Sequence, residues 1–251
     1  MDSLLFRPVT VFAITVVTLL VAAWIGSWLR GRASLDEKQR DDFSLILAAT
    51  LTLLGLLIGF SFSMASNRYD QRKNLEEAEA NAIGTEYVRL DLLPAADQDK
   101  ARGLLKQYLD LRVRFYAASP EEAVKMTAET NRLQGALWTA VAGPAKRQPD
   151  SVIALAVAGM NDVLNAQGYT QAAWWNHVPY STIALMGGIA FLCNVLIGYG
   201  ARTALRRTPL LLILPVFVAL AFTLIFDIDT PRLGLVKVVP QNLVALKESL
   251  T

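Results

Sequence analysis

Cysteine and histidine, the side chains that most often hold metals or attack substrates, occur once each in this chain. Cys193 alone excludes an intrachain disulfide and reads as a small buried hydrophobe within an apolar run. His177 has no companions at ligand spacing, so no metal is expected and the ring reads as a hydrogen-bonding anchor. Nucleophile elbows and phosphate loops are absent, and neither an enzyme nor a cofactor is expected. Alternating apolar and polar residues, the mark of half-buried strands, are missing throughout. The 24 bases and 22 acids nearly cancel and do not cluster, which leaves no footprint for nucleic acid.

The most telling absence is of charge along four runs. Val9–Leu29, Phe43–Ala65, Tyr180–Gly200 and Pro209–Phe226 contain no Asp, Glu, Lys or Arg. Helices of roughly 18 to 23 residues, rising ~1.5 Å per residue, match a hydrocarbon core of ~30 Å. A core helix of a soluble protein rarely stays free of charge, and four such runs imply a multi-pass membrane protein in the lipid bilayer of the cell (inner) membrane. The first run ends in Trp24, Trp28 and Arg30, which reads as an uncleaved anchor. Pro209 suits the first turn of the fourth helix, and Pro215 is expected to kink it.

Between the second and third runs lies a polar stretch whose patterning is helical. Asn67–Leu92 continues the second run with no breaker except Gly84, and Pro94 ends it. A helix follows over Ala95–Ala118. Ser119 is an N-cap with Pro120 in the first turn of the next, which Gly143-Pro144 is expected to close. A fourth begins near Ser151 and leads to Trp174 and Trp175, whose rings, with Tyr180, fit the headgroup layer. The expected fold class is all-α: a four-span transmembrane protein with an all-helical extramembrane domain between spans two and three. The boundaries are 1–66 for the first helix pair, 67–178 for the bundle, 179–227 for the second pair and 228–251 for the tail.

The second run carries the most specific pattern. Gly55, Gly59 and Ser63 recur at i, i+4, i+8, a small-residue stripe that lets helices approach closely. Thr52, Leu56 and Phe60 form a neighbouring stripe at the same spacing. A polar exit follows: Ser61, Ser63, Ser66, Asn67 and Arg68. Such groups are natural where a helix lines a water-filled path, and equally compatible with tight packing in a monomeric bundle. Asp227 and Asp229 oppose the dipole at the end of the fourth helix, so they call for compensation, from Arg68 or Arg72 as a salt bridge or from a bound cation. The run Glu76-Glu77-Ala78-Glu79 reads as a solvated face with i, i+4 partners in Arg72 and Lys73, or as an acidic vestibule.

The stretch from Leu51 to Pro94 resembles the second-helix region of bestrophins, in the pair Gly59-Phe60 and the cluster Arg68-Tyr69-Asp70-Gln71-Arg72. The tail after the fourth run is similar to that of uncharacterised bacterial bestrophin-like proteins, at Asp227, Pro231, Gly234, Leu235 and Pro240. The resemblance implies a homo-oligomeric, pentameric channel for small ions, with a neck formed by Thr52, Leu56 and Phe60. Tyr69-Asp70 stands where bestrophins carry paired tryptophans, and Gly234–Val239 holds none of the carboxylates of their calcium clasp. The rival expectation is a non-conducting membrane scaffold or sensor whose bundle binds a partner protein. A transporter is disfavoured, because no charge sits at mid-membrane and no inverted repeat is visible. Orientation stays open: base-rich short loops, with Arg202, Arg206 and Arg207 in the second, put the bundle outside. Bestrophins keep it in the cytosol.

Overall fold

The computed structural model describes residues 8–32, 36–201 and 212–250. Arg202, Arg206, Arg207 and Pro209, on which the loop charges and the start of the fourth run rest, lie outside the described residues. The described elements are all helical: α1 (Pro8–Arg30), α2 (Glu37–Arg89), α3 (Ala95–Ala117), α4 (Pro120–Arg147), α5 (Ser151–Trp175), α6 (Tyr180–Gly200), α7 (Ile213–Asp229) and α8 (Gln241–Ser249), with a 3-10 turn at Leu90–Leu92. Among the described residues three helical stretches are long and apolar enough to cross a membrane, those that include α1, the first half of α2, and α6. The fourth run is described from Leu212, and α7, 17 residues long, carries it on to Asp229.

The chain divides into two compact units, 1–67 with 177–236, and 68–176 with 237–251. In the first, α1 packs against α6 and α7. Its inward stripe is Leu19, Ala22, Ala23 and Gly26, and that of α6 is Met186, Ala190, Cys193, Asn194 and Gly198. Small residues at helical spacing bring the two backbones into contact. A Cβ on Gly26 would collide with the carbonyl of Val195, and one on Gly198 with the carbonyl of Ala23. In lipid, where apolar surface gains little by leaving the solvent, this close dispersion contact is what joins helices. Gly198→Val is therefore expected to cost at least the ~1–3 kcal/mol of an overpacked core. Gly188→Val, where a Cβ meets nothing within 4 Å, is expected to be nearly neutral. Thermal midpoints of the two variants in detergent check the contrast.

In the second unit, α3 packs on α4 and on α8, and α4 packs on α5. Leu105, Leu109, Leu137, Val141, Met160 and Val163 are buried in its core. Phe115, Tyr116 and Trp174 close one end, with ring centroids 5.7–5.8 Å apart in edge-on geometry. Ser119 starts α4 with a full capping box, its side chain accepting the Glu122 N–H while Glu122 returns to the Ser119 N–H. Asp150 caps α5 through the Val152 N–H.

One proline expectation changes. Gly143-Pro144 does not close α4, which runs one turn further to Arg147. A proline at the start of a last turn removes a single hydrogen bond, and Pro144 is itself buried. Pro215 lies in α7, and the residues just before Leu212, on which an interior kink at Pro215 depends, lie outside the described residues.

Candidate functional site

The second apolar run forms the first half of α2, and of the three membrane-length stretches among the described residues it is the least buried. Only 6% of its most apolar window is buried, against 22% for that of α1. Successive residues turn by about 100° around a helix. Leu54, Ser61 and Ala65, the buried positions, share one narrow seam. Thr52, Leu56, Phe60, Ser63 and Asn67 fall within about 80° of one another on the opposite side, and all five are exposed.

On that outward side Leu56 is 54% and Phe60 60% exposed. Gly55 and Gly59 sit at its edge, and a Cβ on either would meet nothing within 4 Å. Among the described residues, nothing of the same chain thus fills the space beside the two glycines of the small-residue stripe. Thr52 turns its hydroxyl back to the Ala48 carbonyl, 2.9 Å away, which lowers the polarity it offers outward. At the exit, Asn67 is in line with Leu56 and Phe60, Ser66 is half-buried, and Arg68 turns to the far side. Ser61, by contrast, is buried, and its hydroxyl has no hydrogen-bond partner among the described residues, so it does not belong to a wet path.

Asp227 and Asp229 are nearly buried at the end of α7. The Asp227 carboxylate accepts the N–H groups of Leu235, at 2.6 Å, and Val236, at 2.9 Å. Gly234 makes this possible, since a Cβ there would strike Asp227 Oδ1. Asp229 accepts the Val178 N–H at 2.9 Å. His177 Nδ1 lies 2.9 Å from the Asp229 carbonyl and 3.4 Å from its carboxylate, an anchor of the expected kind. Backbone donors around both carboxylates offset the unfavourable helix dipole. They fasten the tail and the residues before α6 to the end of α7.

The charge run of the bundle is only in part a solvated face: Lys73 and Glu77 are exposed, but the other charged residues of the run are not. Arg72, Glu76, Glu79 and Glu86 are each at most 2% exposed. Arg72 donates to the carbonyls of Ala173 and Asn176 at the end of α5. Glu76 accepts the Leu243 N–H and the Asn242 amide at the start of α8. Glu79 takes a two-pronged contact from Arg112 and a hydroxyl from Thr170. Burial works against the Arg112 charge, but the Glu79 carboxylate outweighs it and raises the guanidinium above its usual range. The readable signal was spacing: positions 72, 76, 79, 83, 86 and 90 recur every three or four residues, which is a core stripe whatever its residue types.

The comparisons with known proteins agree with this architecture. The Bestrophin-like domain family matches residues 12–243. A crystal structure of a bacterial bestrophin homolog from Klebsiella pneumoniae, carrying a tryptophan-to-alanine mutation, is similar in fold: 17% identity over 97% of this chain and 93% of that one, with a TM-score of 0.65. The same homolog solved by Zn-SAD phasing matches at 17% identity over 96% of this chain and 98% of that one, with a TM-score of 0.62. No curated protein matches. With a family match spanning nearly the whole sequence and an all-helical fold shared with those homologs, the chain is a membrane protein of the bestrophin-like family.

Proposed function

We propose that the protein is a pentameric ion channel of the cell (inner) membrane, with four spans per copy, α7 completing the fourth, and its pore lined by α2. Thr52, Leu56 and Phe60 form the neck; Gly55, Gly59 and Ser63 pack copy against copy; Ser66 and Asn67 line the exit, with Arg68 behind them. The bundle at 67–178 stands outside the membrane, between helix pairs 1–66 and 179–227, and the tail at 228–251 is held by Asp227 and Asp229. The supporting observation is the bare, glycine-edged face of α2, which no described helix of its own chain covers. Glycines offer lipid nothing, whereas a neighbouring helix can settle into the groove they leave. Repeated around an axis, such a contact closes a ring. An apolar constriction at the neck then gates by dewetting, and the polar exit rehydrates the ion.

Native mass spectrometry from several detergents tests the assembly. The wild type is expected as a single oligomer, and Gly59→Leu, which fills the groove, as smaller species. A monomeric wild type in every detergent would sink the channel reading. An intact ring that passes no ions would support the scaffold.

A further inference from the structure

We infer that Glu86 is a proton-operated latch between α2 and α5: protonated, it lets the two helices seat against each other at Gly159, and deprotonated, it loosens them. The carboxyl group is completely buried, and neither oxygen has a hydrogen-bond partner among the described residues. It lies directly on the α5 backbone, where a Cβ on Gly159 would strike Glu86 Oε2 and crowd Arg89 Nη1 at 2.6 Å. A mid-helix glycine costs ~1 kcal/mol relative to alanine, and Gly159 is the residue that makes room for this acid. An ionised carboxylate without donors is not tolerated in such a place, so the group either keeps its proton or the contact opens.

The charges around it do not neutralise it. Arg89, one turn further on α2, is shared with Asp162 of α5, whose carboxylate is 3.8 Å from Arg89 Nη1. On the adjoining 3-10 turn Asp91 pairs with Arg102 of α3, and on α8 Lys247 pairs with Asp110. Burial first, moderated by Arg89 and reinforced by Asp162, pushes the Glu86 carboxyl up to about 8. Its charge therefore changes close to neutral pH, on the unbroken helix that also carries Leu56 and Phe60.

The sign follows from proton binding. Between the ordinary value of 4.5 and about 8 the unfolded chain has lost this proton and the folded one keeps it. The folding equilibrium thus weakens by up to about tenfold per pH unit in that window, then levels off. The test uses the full chain in nanodiscs, with thermal midpoints and amide exchange across residues 80–90 and 155–165 from pH 5 to 9. Wild type is expected to lose stability up to pH 8 and to exchange faster in both segments above it, after correction for intrinsic rates. Glu86→Gln is expected to remove that portion of the pH dependence and keep exchange slow at pH 9. An identical pH profile in wild type and Glu86→Gln would overturn the latch. Infrared spectroscopy of the wild type needs no variant: a carboxylic-acid band persisting at pH 7 and vanishing above pH 8 is expected, and its absence at pH 7 would equally overturn it.

Discussion

Replacing both Leu56 and Phe60 with alanine is expected to raise ion flux through reconstituted liposomes by at least tenfold. Each ~1.4 kcal/mol taken off a permeation barrier is worth about a factor of ten in rate, and shrinking a ring of apolar side chains lets water into a neck it had expelled. The same two truncations would destabilise a protein whose α2 was packed on all sides, at ~2–5 kcal/mol for a buried leucine. Here both side chains are more than half exposed within their own chain, so no intrachain cavity is made. Leu54, 2% exposed on the opposite side of the same helix, gives the matched control. Leu54→Ala is expected to lower stability and leave flux unchanged. Flux from the double variant at the level of empty liposomes, with the oligomer intact, would transfer the reading to the scaffold.

The second large effect concerns the bundle core. Arg112 and Glu79 are both at most 1% exposed and paired side by side, with the guanidinium 4.4 Å from the Phe115 ring centre. Removing one partner strands a buried charge, which typically costs ~3–5 kcal/mol. Arg112→Met alone is thus expected to unfold the bundle readily, and Glu79→Leu alone to do nearly as much. Together they are expected to recover most of the loss, since an apolar pair of similar volume is often neutral. Chemical unfolding of the four proteins measures the coupling, and additive losses would contradict a mutually dependent pair.

Local signals in the sequence were strong where chemistry is local. Tyr180–Gly200 is the helix α6 to the residue, and Ser119 and Asp150 cap the helices they precede. For the charged run of α2, position on the helix decides burial, and residue type does not. Arg72, Glu76 and Glu79 sit at core spacing on α2, and their partners lie 33 to 167 residues away in sequence. Nothing near them in the chain announces Ala173, Leu243 or Arg112. Gly143-Pro144 looks like a stop but is not one, because burial of Pro144 offsets one lost hydrogen bond. In the candidate pore, spacing alone assembled Thr52, Leu56 and Phe60 on one face, but could not tell an outward face from an inward one. Burial of Leu54, Ser61 and Ala65 supplies that distinction.

The most direct measurement is a cryo-EM reconstruction of the full chain in lipid nanodiscs. A closed five-fold ring is expected, with α2 of every copy around the axis, Leu56 and Phe60 pointing into a narrow neck, and Gly55 and Gly59 against the next copy. Single copies, or a ring whose Thr52, Leu56 and Phe60 face outward lipid, would contradict a pore lined by α2.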